Sequence, residues 1–245
     1  MMRPIVIVHG AWGGGWRWQT AARSLRATGH EVYIATLTGL GERFHLGHPD
    51  VNLDLHVLDV VHHLAAEDLT NIVLVGHSYG GMVIPGVAER VPERIAHLVY
   101  LDAFVPHNRE SLLDLVESDA RLALEAELTQ SIDGWRIHSP TDTRPRPRPN
   151  PSPRDTPQPW QTFTQPLTVT NPEAAHLPRL YVRATADKIP GQFMTLSFVK
   201  SFARVQAERW PIRTVNTGHR EMAESVETIA ILSALATTPE TDNAE

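Results

Sequence analysis

Gly76-His77-Ser78-Tyr79-Gly80-Gly81 follows directly on the apolar run 72–75. This G-x-S-x-G spacing behind a buried strand is the pattern of a serine raised on a sharp turn into a helix. Glycines two before and two after the serine let the backbone turn without side-chain clash and leave the hydroxyl above the sheet. A helix that starts there also aims its free N–H groups and the positive end of its dipole at the same point. Ser78 is therefore the candidate nucleophile.

A serine hydroxyl is a poor nucleophile at neutral pH, so it needs a base to take its proton and a third group to hold that base in the right tautomer. The chain order expected for this turn is serine, acid, histidine. Of thirteen histidines, His219 alone follows the last apolar run, precedes the last helix-like segment and satisfies that order. Asp187, just past the run 180–185, is the expected acid; Asp102, at the end of the run 95–101, is its competitor. Acyl transfer also builds negative charge on a carbonyl oxygen, which two preset backbone amides usually stabilise. Tyr79, after the nucleophile, should supply one and Ala11, in His9-Gly10-Ala11-Trp12-Gly13-Gly14-Gly15, the other. Trp12 and Phe104 adjoin strand ends and are the expected substrate-contacting aromatics.

Two other chemistries are weaker. The glycine cluster at 10–15 matches neither phosphate-binding spacing, which argues against a dinucleotide site. His56, Asp59, His62 and His63 share one helix-like segment, with Asp59 and His63 four apart, but no convincing third ligand lies near; a half-exposed helix face explains them and no metal is expected.

The elements that must position these residues can be read from the pattern. Apolar runs at 5–9, 32–36, 72–75, 95–101, 180–185 and 212–215 alternate with helix-like segments at 16–27, 53–66, 80–90, 192–204 and 222–236. That alternation predicts an α/β fold, a mostly parallel six-stranded sheet with helices on both faces. The alternation stops after Asp102 and resumes at Arg179. The chain is therefore expected to divide into a core of 1–102 with 179–245 and a cap inserted over the site at 103–178. Within the cap, 111–128 reads as one helix, whereas 140–159 holds eight prolines and is expected to be a mobile surface loop. Pro85 falls inside the helix after Ser78 and should kink it.

Length and composition narrow the classes. With 245 residues and 42% apolar content the chain can bury one sizeable core. A net charge of −6 with no long single-sign run argues against nucleic acid or an anionic membrane as partner. The absence of cysteine removes disulfides and thiolate chemistry. No segment reaches transmembrane length and the N-terminus lacks a signal-peptide core, so a cytoplasmic protein is expected, a homodimer being compatible with the pattern.

Taken together, the stretches His9–Trp18, Leu37–Arg43, Val73–Met82, Leu101–Pro106, Asp187-Lys188 and Gly218-His219 resemble the α/β-hydrolase superfamily. Within it they are similar to the small branch of plant methylesterases, hydroxynitrile lyases and related bacterial esterases. The resemblance implies an α/β-hydrolase fold, a triad of Ser78, His219 and Asp187, an oxyanion hole from the Ala11 and Tyr79 amides, and no cofactor. The lyases carry threonine and lysine where this chain has Gly10 and Arg220, which disfavours cyanohydrin cleavage, and many members have histidine at Gly13. An epoxide hydrolase of this fold would need a carboxylate in place of Ser78. The expected activity is hydrolysis of an ester, thioester or lactone of a medium-sized apolar small molecule through an acyl-enzyme. A biosynthetic lyase or cyclase using the same pocket, and a non-catalytic ligand-binding protein, are the alternatives.

Overall fold

The first run, Ile-Val-Ile-Val, has no polar position, as suits a strand covered on both faces. In the computed structural model of the chain, which describes residues 2–140, 154–186 and 188–237, this run is strand β1, Ile5–Val8. Side chains alternate across it: Val6 and Val8 enter one apolar cluster, Ile5 and Ile7 the other. The remaining strands are β2 (Val32–Ala35), β3 (Ile72–His77), β4 (Ile95–Leu101), β5 (Arg136–Ile137), β6 (Gln158–Pro159), β7 (Arg179–Ala184) and β8 (Ile212–Val215). Among the described residues, six of them form one parallel sheet in the order β2-β1-β3-β4-β7-β8, while β5 and β6 pair antiparallel apart from it.

Helices cover both faces. Of α1 (Gln19–Ala27), α2 (Leu53–Ala66) and α3 (Gly80–Arg90), the first packs beside Ile5 and Ile7 and the other two beside Val6 and Val8. Between β4 and β7 lie α4 (Leu112–Leu115), α5 (Ser118–Thr129), α6 (Gln161–Thr164) and α7 (Pro172–His176). Then α8 (Phe193–Ala207) joins the α2 and α3 face, and α9 (Val226–Thr237) joins α1. Among the described residues no helix is long and apolar enough to cross a membrane.

Two expectations are corrected. The single helix at 111–128 is two, because Val116 and Glu117 are extended (ψ 154° and 157°). Ser111 and Asp114 cap one short turn reciprocally, and Leu112, Leu113, Leu115 and Val116 are all buried. The chain must then change direction before α5 can bury Ala120 and Leu124 while Leu122 faces solvent. Nor is all of 140–159 surface loop: residues 156–159 are buried, with β6 at their end, whereas 141–153 lie outside the described residues. Proline cannot donate to a ladder, but Thr156 and Gln158 offer polar groups that the core lacks, and those are taken up at the site described next.

Candidate active site

Strand β1 lies between β2 and β3, so the chain leaves it first to one side and then to the other. In an open parallel sheet, the crevice beyond the carboxyl ends of such a pair is where ligands bind. The register Val8↔Gly76 and His77↔Leu101 brings the ends of β1, β3 and β4 level, so that residues 10–12, 78 and 102 emerge side by side.

The turn after β3 is tight in a way only its glycines allow. Ser78 sits at φ +54°, a left-handed conformation that costs a serine energy and that the surrounding structure must impose. A Cβ at Gly76 would lie 2.7 Å from the Gly80 carbonyl oxygen; one at Gly80, 2.5 Å from that of Val8; one at Gly81, 2.1 Å from that of Phe104. The serine's own amide donates to Leu101 O at 3.2 Å, and its carbonyl accepts from Gly81 and Phe104, both at 3.1 Å. Helix α3 begins immediately afterwards and tolerates Pro85 within it.

His219 follows β8 and is 3% exposed. Its Nδ1 is 2.7 Å from Oδ2 of Asp102, which is 1% exposed and itself at φ +43°. Lys188 Nζ donates to the same Oδ2 at 2.5 Å. Burial alone would raise the Asp102 carboxyl, but the hydrogen bonds and charges of His219 and Lys188 outweigh it and hold it below the usual carboxylate range. The carboxylate against His219 is thus Asp102, the competitor in the sequence; Asp187 lies outside the described residues. The ring of His77 lies 4.5 Å from that of His219, and its Nε2–H donates to the His219 carbonyl at 2.9 Å. Burial keeps His77 neutral by lowering its pKa well below 6.5.

The turn after β1 is fixed peptide by peptide. His9 is buried and its pKa is lowered to about 4 by burial, so it is neutral: Nε2 accepts from Leu37 N at 3.2 Å and Nδ1–H donates to Gly10 O at 2.8 Å. Gly13 N closes the turn on Gly10 O at 3.4 Å. With that carbonyl engaged, the other end of its peptide, the Ala11 N–H, points the opposite way. Among the described residues neither the Ala11 amide nor the Tyr79 amide donates to another group. A Cβ at Gly10 would lie 2.8 Å from Ser78 Cβ and 3.3 Å from its Oγ, so the loop runs hard against the serine.

Two compartments meet at Ser78. The outer is a cavity of about 210 Å³ with a mixed polar lining that includes Arg17, His138, Asp155, His219 and Arg220. Arg17 is paired with Asp155 at 2.6 Å. The inner is an apolar compartment of about 20 Å³ among Phe104, Leu124, Phe163, Phe193 and Phe198. Ala11, Trp12, Ser78 and Met194 border both. The expected pair Trp12 and Phe104 therefore lies at the cavity, Phe104 only on its inner side.

Sequence reasoning missed a set of buried polar residues around these loops. His56 accepts at Nδ1 from the Tyr79 hydroxyl (2.9 Å) and donates from Nε2 to Thr38 O (2.9 Å), while Asp59 accepts from the Thr38 amide and hydroxyl and pairs with Arg43. The helix that invited a metal reading thus spends these two residues on hydrogen bonds; among the described residues no group of three ligand-type side chains gathers. Gln158, in the proline-rich stretch, accepts from Trp12 N at 3.0 Å. No local pattern marks it, because its partner lies 146 positions away.

A parallel sheet with a strained serine turn at its switch point and a histidine after the last strand defines a class, and the sequence model described as "Alpha/beta hydrolase family" matches residues 5–230. The chain belongs to the α/β-hydrolase family. It is 51% identical, over 47% of its length and 48% of the relative's, to a carbendazim hydrolyzing esterase of Nocardioides sp. (strain SG-4G). It is 33% identical, over 44% of each, to salicylic acid-binding protein 2 of Nicotiana tabacum. The matches thus take in about half the length of these relatives. An extracellular α/β-hydrolase from a Paenibacillus species superposes with a TM-score of 0.75 at 23% identity, covering 95% of this chain and 97% of that one, which is a likeness of fold.

Proposed function

We propose that the protein is a serine hydrolase that cleaves a carboxylic ester through an acyl-enzyme. The observation that carries this reading is that Ser78, held at φ +54°, shares one cavity with His219, whose Nδ1 is already engaged by a buried carboxylate. With Nδ1–H turned to Asp102, Nε2 takes the Ser78 proton as Oγ attacks the substrate carbonyl. The oxyanion that forms is received by the Ala11 and Tyr79 amides. His219 returns the proton to the departing alcohol oxygen as the C–O bond breaks; water then attacks the acyl-enzyme, gives its proton to His219, and the acid leaves as Oγ is reprotonated. Asp102 orients the ring throughout. Relatives named as esterases and methylesterases support the same reaction.

The two compartments refine the expected apolar substrate. An apolar space of about 20 Å³ has room for a methyl-sized group, since about 10–15 Å³ on this measure already holds a water. The larger group belongs in the cavity of about 210 Å³, where Arg17, Asp155 and Arg220 favour polar substituents. The substrate we infer is an ester with one small apolar group and one larger, polar group. A panel of aryl esters with acyl groups from acetyl to octanoyl, each with neutral and polar aryl parts, tests this: turnover should favour short acyl chains and polar aryl groups. Preference for long chains, or no turnover by folded protein, would contradict it.

A further inference from the structure

His219 is packed against rings as well as bonded to a carboxylate. The ring of His77 lies 4.5 Å from its own at an interplanar angle of 34°, and that of Phe198 4.9 Å away at 31°. Rings this close and this near to parallel lie face over face, because rings side by side in one plane are held further apart by their edges. The two come from different sides of the sheet. Trp18, in the cluster that holds Ile5 and Ile7, packs on His77 at 5.4 Å, whereas Phe198 comes from α8 and belongs to the cluster that holds Val6 and Val8. His77 also donates to the His219 carbonyl, and burial keeps it neutral, so it brings no charge of its own. Phe198 is itself buried and stacks on Phe104 at 4.8 Å, which fixes its ring in turn.

In the reaction His219 becomes an imidazolium twice, once with the proton of Ser78 and once with that of water. That charge arises in a place almost closed to water. Asp102 attracts it, but the Lys188 ammonium occupies the same carboxylate oxygen at 2.5 Å and opposes a second cation there. The negative face of an aromatic ring attracts a cation within about 6 Å of its centre, most strongly where water is excluded. Phe198 offers that face to His219, and the Lys188 ammonium lies 5.3 Å from the same ring, so the phenyl group stands beside both cations.

We propose that Phe198 is a positioning residue for the reaction: its ring face, with His77 bracing His219 from the other side of the sheet, stabilises the imidazolium state of His219 in both proton-transfer steps. This rests on the hydrolase reading above. A face that meets charge only as the transition state forms raises kcat without tightening the ground state. Phe198 also borders the inner compartment, and a residue that served only as its wall would show its loss in KM instead.

The test replaces Phe198 with phenylalanines that carry one, two and three ring fluorines, which keep the outline of the ring while weakening the negative charge on its face. kcat should fall stepwise, about tenfold by the third fluorine, with KM changed less than about threefold. Because the imidazolium of the free enzyme is disfavoured equally, the acid limb of the kcat/KM profile should move to lower pH by about one unit over the series. Asp102, Lys188 and His77 beside the ring, and Arg17, His138, Asp155 and Arg220 in its cavity, are the same in every member. Phe198→Leu, which keeps an apolar wall without a ring face, should lose at least as much kcat, and must show the same paired shift if the fluorinated proteins do not fold. A kcat that is flat along the series, a loss confined to KM, or an acid limb that stays in place while kcat falls overturns the role of Phe198 alone. A wild-type protein that hydrolyses no ester overturns it together with the reading on which it rests.

Discussion

Asp102 takes two hydrogen bonds on one oxygen, from His219 and from Lys188, in a place almost closed to water. Replacing that carboxylate by an amide offers His219 a donor as readily as an acceptor and leaves Lys188 with a weaker partner, so the ring is no longer held with its proton on Nδ1. Asp102→Asn should therefore lower kcat by roughly a thousandfold to ten-thousandfold with KM little changed. Steady-state kinetics on a short aryl ester checks this, and a variant that keeps more than a tenth of wild-type kcat would return the role to Asp187. At this scale the sequence was informative where chemistry dictates residue type and spacing. The strand-to-helix turn at Ser78 was legible from glycines on either side, and the place of His219 after the last strand from chain order. Choosing between two aspartates at neighbouring strand ends needed the path of the chain after each strand, which residue types do not encode. Gln158 and Lys188 were illegible for the same reason, since their partners are distant in sequence.

Elements were read more surely than residues, because buried parallel strands are short uninterrupted apolar runs and the helices between them carry inward stripes. All six runs became strands of the sheet in nearly the expected bounds. The errors fell in the segment between β4 and β7. There, burial of Leu112, Leu113, Leu115 and Val116 split the expected helix at Val116, and a proline-rich stretch proved buried at 156–159, where the Gln158 side chain and the Thr156 amide bond Trp12 in the turn after β1. The turn from β3 into α3 makes the strongest element-level demand. A methyl group at Gly81 would meet the Phe104 carbonyl at 2.1 Å, with backbone on both sides of the contact and no flexible side chain to yield. Gly81→Ala should cost on the order of 3 kcal/mol or more and move Ser78. Thermal unfolding should show a drop in Tm of roughly 6 °C or more with activity lost in parallel; an unchanged Tm would mean that the turn is looser than its geometry indicates.

For the molecule as a whole, buried neutral histidines tie stability to pH. Burial lowers His9 and His56 to about 4 from 6.5. The unfolded chain takes up those protons near 6.5 and the folded chain does not until about 4, so between these values the unfolded state binds more protons and stability falls as pH falls. Each residue should cost about 2 kcal/mol by pH 5 relative to pH 8, together lowering Tm by on the order of 10 °C. His77, also lowered, acts in the same direction. Asp102 contributes only lower, since its depressed carboxyl protonates below 3.8. Scanning calorimetry from pH 8 to pH 5 checks the slope, and His56→Gln should flatten it by about a third while lowering stability at pH 8. A Tm independent of pH over that interval would show that these rings are not held neutral.

The account depends on Ser78 being an activated nucleophile, and intact-mass spectrometry after reaction with a fluorophosphonate measures that directly. The wild-type protein should gain one phosphonyl group, mapped by peptide sequencing to Ser78, while folded Ser78→Ala gains none and loses ester turnover by roughly a millionfold. A folded wild-type protein that stays unmodified, or a Ser78→Ala variant that keeps its turnover, would contradict it.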